Sequence, residues 1–231
     1  MSTDNLPLLI GFIVMSVSSL ALYVSGDKGK TFRHHTHFHS VVPFIAATAY
    51  LAMLLGVGVI EIGGETIYLA RYADWTVTTP ILLTGLVLTA LHEHHRFSGF
   101  VVSVVILDVL MVLTGLLSAL APDAGARWIW FWWSSAAFAG VLYLLWKPVR
   151  ERSEHYGQPL DSIYKKNLAF VTVVWLAYPI VFAIGPQGLR ITDTVTNVWI
   201  ILALDIIAKV VYGFVSVRRF GKVDETAVDL A

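Results

Sequence analysis

The sequence predicts an all-α integral membrane protein, a seven-transmembrane-helix bundle with its amino terminus extracellular and its carboxy terminus cytoplasmic. Three observations point there. First, 57% of the 231 residues are hydrophobic and only 14% are charged, and the mean hydropathy of +0.72 lies outside the range of ordinary soluble domains. Second, seven apolar stretches are each long enough to cross a bilayer, whose hydrocarbon core of roughly 30 Å takes about 20 helical residues. Third, the basic residues between those stretches collect on one side when the spans alternate.

In chain order the spans are 7–26, 38–60, 70–91, 98–119, 127–148, 161–185 and 194–217. The first reads as a span rather than a cleaved leader, because the only charge before it is Asp4 and a leader needs a basic segment there. Between the second and third, Ile60 to Tyr68, centred on Ile62-Gly63-Gly64-Glu65-Thr66, is expected to form a short extracellular hairpin. Lys28, Lys30, Arg33, Arg96, Lys147, Arg150, Arg152, Lys165, Lys166, Arg218, Arg219 and Lys222 fall on one side, and only Arg127 and Arg190 on the other. The side rich in positive charge is the cytoplasmic one. No repeat or linker is visible, so residues 1–231 read as one domain in the cell (inner) membrane, crossing it many times. A formal net charge of +0 predicts no nucleic-acid partner, and the absence of cysteine excludes disulfides and thiolate metal sites. No metal site is expected.

Apart from Arg127, Lys147, Asp161, Lys165 and Lys166 at the ends of the fifth and sixth spans, five charges lie within the spans: Arg71, Asp74, Asp108, Asp205 and Lys209. Ionisable groups at that depth are costly and usually functional. Lys209 is the most telling. The next positive charge, Arg218, is nine residues on, roughly 13 Å along a helix, so the lysine head is too deep to reach the surface by stretching. Asp205 is one helical turn before it on the same face. Two positive and two negative charges (Arg71, Lys209, Asp74, Asp205) are able to neutralise one another, as a medium of low dielectric requires. Spans three and seven both run inward, so the acids lie on the extracellular side of Lys209.

The stretch Arg71-Tyr-Ala-Asp74-Trp75-Thr-Val-Thr78-Thr79-Pro80, with Trp175-Leu-Ala-Tyr178-Pro179 and Asp205 four residues before Lys209, resembles the microbial (type 1) rhodopsins, and the resemblance covers all seven spans. It implies a seven-helix bundle around all-trans retinal, covalently bound to Lys209 as a protonated Schiff base. Asp74 would then be primary counterion and proton acceptor, Asp205 the second counterion, Arg71 the gate towards the exit, and Tyr50 and Tyr178 hydrogen-bond donors to the counterion pair. Trp75, Thr79, Leu82, Met111, Thr114, Gly115, Phe131, Ser134, Phe138, Trp175, Tyr178, Pro179 and Phe182 match pocket positions of the family. Asp108 matches a carboxyl near the far end of the retinal. Leucine at position 82 implies green absorption, and Phe131, where some relatives have glycine, implies that no carotenoid antenna is bound.

Subclass in this family is read from three positions, here Asp74, Thr78 and Gly85. The sequence resembles proton pumps with such a DTG triad and departs from chloride pumps, which lack the first carboxylate. Gly85 stands where bacteriorhodopsin-like pumps carry a cytoplasmic donor aspartate, and glycine cannot donate. His39, near the cytoplasmic end of span two, is a candidate donor or organiser of a donor water, since imidazole titrates near neutrality. The alternative is a solvated histidine in the run His34, His35, His37 and His39. His92, His94 and His95 read as a solvated cytoplasmic loop. On the outer side Gln187 and Asn197 replace the family's two release glutamates; Asp193, or Glu61 and Glu65, are candidate substitutes, with a plain surface charge as the favoured reading of each.

The function expected is a light-driven outward proton pump rather than an enzyme, with protons and membrane lipids as partners and a homo-oligomer, trimer or pentamer, implied by the resemblance. The alternative is a sensory photoreceptor acting through a separate transducer, although no signalling domain follows the last span. Nothing in the sequence favours a light-gated channel.

Overall fold

The computed structural model describes residues 5–25, 33–91 and 99–222. Lys28, Lys30, Arg96 and the histidines at 92, 94 and 95 lie outside the described residues, as do the side chains of Arg33, His34 and His35. The elements are α1 (Leu6–Ser25), α2 (Arg33–Leu54), β1 (Val59–Ile62), β2 (Glu65–Tyr68), α3 (Leu69–Ala90), α4 (Gly99–Leu120), α5 (Ala124–Leu144), α6 (Arg150–Tyr156), α7 (Leu160–Ile184), α8 (Thr194–Asp205) and α9 (Tyr212–Phe220). Wider, π-type turns join α5 to α6 at Leu145–Val149 and α8 to α9 at Ile206–Val211. Each joined pair is therefore one continuous rod, and seven rods are long and apolar enough to cross a membrane. The chain is a multi-pass membrane protein.

Two predicted boundaries move. The second span ends at Leu54 rather than residue 60, because Val59 and Ile60 pair in the hairpin instead. The fifth continues past residue 148 to Tyr156, since the π-type turn absorbs Pro148 and the helix resumes. The hairpin itself forms where expected. Val59 to Ile62 pair antiparallel with Tyr68 to Glu65, and both residues of the connecting turn, Gly63 and Gly64, have positive φ (62° and 80°), the mirror-image turn that matches strand twist.

Polar groups in a bilayer have to be satisfied within the protein, and threonine hydroxyls meet this on their own helix. Thr76, Thr78 and Thr79, just before Pro80 in α3, return their hydroxyls to the carbonyls of Tyr72, Asp74 and Trp75 at 2.7, 2.8 and 2.7 Å. The outward faces are apolar: Val17, Leu20, Phe44, Ile106, Trp132, Val173 and Ile180 are all exposed, as a surface solvated by lipid tails should be. Two helices at the hairpin end begin with aspartate caps, Asp123 on the Ala126 N–H at 2.9 Å and Asp193 on the Thr196 N–H at 2.9 Å. At the opposite end α6 is tied to α7. The buried Asp161 carboxylate accepts from Ser153 Oγ (3.0 Å) and Gln158 Nε2 (3.2 Å), and Lys165 bridges it to Glu154.

Asp193 thus has a structural task, and its carboxyl is held below the usual carboxylate range by the Thr196 backbone N–H and hydroxyl. A carboxyl lowered by folding stabilises above its unfolded pKa, about 3.9, and that contribution is lost as pH falls through the folded value. Asp193→Ala is expected to lower the melting temperature slightly at neutral pH. The difference from the parent, followed by thermal denaturation, should shrink towards acid pH.

Candidate functional site

Lys209 sits in the π-type turn of the last rod, 2% exposed. A π-type turn widens the helix locally and is common at functional positions. Here it still leaves Asp205 close to the amine, with Oδ1 at 3.5 Å from Nζ. From across the bundle α3 supplies Asp74, 4% exposed, whose Oδ2 accepts a hydrogen bond from Lys209 Nζ. Its Oδ1 has no hydrogen-bond partner among the described residues.

Asp205 is solvated very differently. Its Oδ2 accepts from Tyr50 OH at 2.9 Å, and its Oδ1 accepts from Tyr178 OH at 2.9 Å and Trp75 Nε1 at 3.3 Å. The two tyrosines were legible in the sequence as donors. The indole was not, because whether Trp75 turns its face or its edge to span seven depends on helix rotation. Its ring meets Tyr178 edge-on, with centroids 5.3 Å apart.

The expected four-charge cluster resolves into three charges in direct contact, with Arg71 set apart. Arg71 is buried one turn before Asp74, its guanidinium 5.1 Å from the Tyr68 ring centroid. It makes no ion pair among the described residues, and its Nε and Nη2 are buried without a hydrogen-bond partner there. Cation–π attraction and the nearby negative pair supply its compensation.

A cavity opens from Lys209 between α3, α4, α5, α7 and α8. Of the predicted pocket residues, Trp75, Thr79, Leu82, Met111, Gly115, Phe131, Ser134, Phe138, Trp175, Tyr178, Pro179 and Phe182 line it. Two do not. Tyr50 stands behind Asp205, and Thr114 turns its hydroxyl back to the carbonyls of Leu110 and Met111 at 2.6 and 3.2 Å. Tyr72, Val112, Ser118, Ile201 and Ala208 also line the cavity, and sequence reasoning missed them because none carries a chemical signature. Towards the hairpin the lining continues through Arg71, Ile67, Gln187 and Asn197. Phe131 stacks on Phe182 with centroids 5.6 Å apart, filling the wall between α5 and α7.

Thr79 and Asp108 form a second polar pair by the cavity. Thr79 Oγ1 lies 2.7 Å from the Trp75 carbonyl and 2.6 Å from Asp108 Oδ2. A hydroxyl has one proton to give, so both contacts are hydrogen bonds only if Asp108 carries the other. The carboxyl then donates to Thr79, which donates to the carbonyl, and no net charge is added in a fully buried position.

His39 does not lie in solvent. It is 5% exposed, its Nε2 is 3.0 Å from Ser216 Oγ, and its ring meets Tyr212 edge-on at 5.4 Å. Asn167 Nδ2 donates to the same Ser216 oxygen at 3.1 Å, and Arg219 donates to Asn167 Oδ1. The imidazole therefore faces the last rod rather than Gly85, where an added Cβ would meet the Phe38 ring at 3.9 Å. Ser216 and Asn167, both buried, were not singled out in the sequence, although a polar pair inside apolar spans is the signal that would have found them. His37, by contrast, is exposed.

Residues 2–222 match the family described as bacteriorhodopsin-like protein. The chain belongs to that family, the microbial rhodopsins. It is 37% identical over 222 residues to archaerhodopsin-3 of Halorubrum sodomense, covering 93% of this chain and 84% of that one. It is 31% identical over 208 residues to sensory rhodopsin-2 of Natronomonas pharaonis, covering 90% and 85%. Among solved structures, thermophilic rhodopsin from Rubrobacter xylanophilus superposes with a TM-score of 0.88 at 34% identity, over 94% of this chain and 96% of that one.

The proton count at Asp108 and Thr79 has a direct spectroscopic consequence. Infrared spectra should contain a protonated carboxyl C=O band that disappears in Asp108→Asn and shifts in Thr79→Val. A spectrum in which Asp108→Asn removes only a carboxylate band would contradict the proton count.

Proposed function

We propose that this protein is a light-driven outward proton pump carrying all-trans retinal on Lys209. The observation that carries this reading is the unequal solvation of the two acids beside one buried amine. Three donors hold the charge of Asp205, whereas Asp74 has the amine itself on one oxygen and a bare second oxygen. Once the contact with Nζ is disturbed, Asp74 is the group with capacity to take a proton.

The residues present suit retinal. A primary amine at the edge of a cavity walled by Trp75, Trp175, Phe138 and Phe182 fits a long apolar aldehyde, which condenses with it and releases water. Bound there, the chromophore supplies a light-driven change of shape at Nζ. Asp74 and Asp205 oppose the positive charge on that nitrogen in the dark. After light the proton passes from Lys209 Nζ to Asp74, and Arg71, on the hairpin side, responds to the lost negative charge. Gln187 and Asn197 line that side but have no titratable proton, so release does not use a glutamate pair there.

Return of the proton follows the opposite side. Gly85 offers nothing, and the buried His39–Ser216–Asn167–Arg219 chain is the polar feature that supports His39 as donor or water organiser. The outward direction rests on the basic residues. Lys147, Arg150, Arg152, Lys165, Lys166, Arg218, Arg219 and Lys222 are at the end away from the hairpin, so that end is cytoplasmic. Leucine at 82 supports green absorption, and the Phe131–Phe182 stack argues against a carotenoid antenna. A homo-oligomer in the cell membrane is the expected assembly.

The likeness to a sensory rhodopsin keeps a photoreceptor as the second reading. Cells making the protein with retinal should turn coloured and, on illumination, acidify an unbuffered medium, with collapse on adding a protonophore. Colour without acidification would favour the sensory reading. Lys209→Ala should abolish the colour, and Asp74→Asn should keep a pigment, red-shifted by loss of the counterion charge, that no longer acidifies.

For His39, flash spectroscopy gives the test. His39→Ala is expected to slow return of the proton to Lys209 Nζ by about a hundredfold, the low end of what a positioned acid or base contributes. An unchanged rate would remove His39 from the path.

A further inference from the structure

Tyr50 is held from behind by a residue that has no side chain. Gly11, in the middle of α1, is buried against the Tyr50 ring. A Cβ placed at residue 11 would lie 2.4 Å from Tyr50 Cδ1, 2.5 Å from Cε1 and 2.8 Å from Cγ. Carbon atoms pack at about 3.5–4.0 Å, so ring and helix would have to separate by about 1 Å. The ring has nowhere to go, since Tyr50 is 1% exposed and packs with Leu8, Met15, Ala46, Met53 and Leu202. A tyrosine ring is rigid, so displacement at Cγ and Cδ1 is carried to the hydroxyl, which donates to Asp205 Oδ2 at 2.9 Å. A shift of that size breaks a hydrogen bond.

We infer that Gly11 is a positioning residue for the second counterion: it lets the Tyr50 ring lie on the α1 backbone so that its hydroxyl reaches Asp205. α1 contributes no residue to the cavity, yet through this contact it acts on how the charge of Asp205 is solvated. Small residues commonly allow close helix approach in membranes. Here the space is filled by a ring whose other end meets the ion cluster. The spectral consequence rests on the retinal reading above; the packing does not.

The test is a double-mutant cycle. Tyr50→Phe keeps the ring and removes the hydroxyl, whereas Gly11→Ala keeps the hydroxyl and moves it. The absorption maximum of Gly11→Ala should move in the same direction as that of Tyr50→Phe, and Gly11→Ala/Tyr50→Phe should match Tyr50→Phe alone. Gly99→Ala, whose Cβ meets nothing within 4 Å, should keep the parent spectrum. A parent-like Gly11→Ala pigment, or shifts that add in the double variant, would overturn the proposal.

If Gly11→Ala yields no pigment, shortening the ring decides. Gly11→Ala/Tyr50→Leu should recover the pigment yield of Tyr50→Leu, and a double variant as poor as Gly11→Ala would overturn the proposal. The same cycle read as melting temperature of the retinal-free protein separates the two readings. Absence of coupling between positions 11 and 50 defeats the positioning role, whereas coupling in a chain that takes up no retinal defeats only the retinal reading.

Discussion

The structure depends on one ionised amine kept out of water. Lys209 is buried in the last rod with Asp74 bonded to it and Asp205 at 3.5 Å. Placing one positive charge in a medium of low dielectric costs several kcal/mol unless opposite charge and hydrogen bonds surround it. Two carboxylates overshoot that need by one charge, and Arg71 restores neutrality from one turn away. The remaining polar groups around the site follow from this arithmetic. Tyr50, Tyr178 and Trp75 supply the hydrogen bonds that Asp205 needs, while Asp108 enters a nearby wall hydrogen-bonded to Thr79.

In the bilayer, burying apolar side chains between helices brings little net gain, because lipid tails solvate them equally well. What holds the rods in register is close packing and polar contact. The site is consequently supported from three directions by different means. Tyr50 arrives from α2 and is seated by Gly11 on α1. Trp75 and Asp74 arrive from α3, where the threonine hydroxyls bond back to carbonyls of their own helix. Tyr178 arrives from α7, just before Pro179. Each support is a single contact whose loss changes the solvation of one carboxylate, which is why residues outside the cavity bear on its chemistry.

The two ends of the bundle are built unlike one another. At the hairpin end the cavity lining extends through Arg71 to the neutral amides of Gln187 and Asn197, and Arg190 joins the loop after α7 to Glu65 of the hairpin at 3.2 Å. At the other end the interior closes around Tyr212, Phe38 and the His39–Ser216 contact. From Lys209, polar groups follow at once on the hairpin side, and a mostly apolar stretch follows on the other.

Much of this was determined by the sequence alone. Hydropathy depends on composition along the chain, so the seven spans, the buried charges and the hairpin at Gly63-Gly64 were legible from local order, and the third and seventh spans carry motifs specific enough to name the family. Partner choice is not local. Rotation of one helix about its axis decides whether Trp75 donates to Asp205, whether Thr114 faces the cavity, and whether His39 turns to Gly85 or to Ser216. The π-type turns that carry α5 through Pro148 and widen the helix at Lys209 have no composition of their own. Those features arise from contacts between segments far apart in the chain, and only the packed bundle decides them.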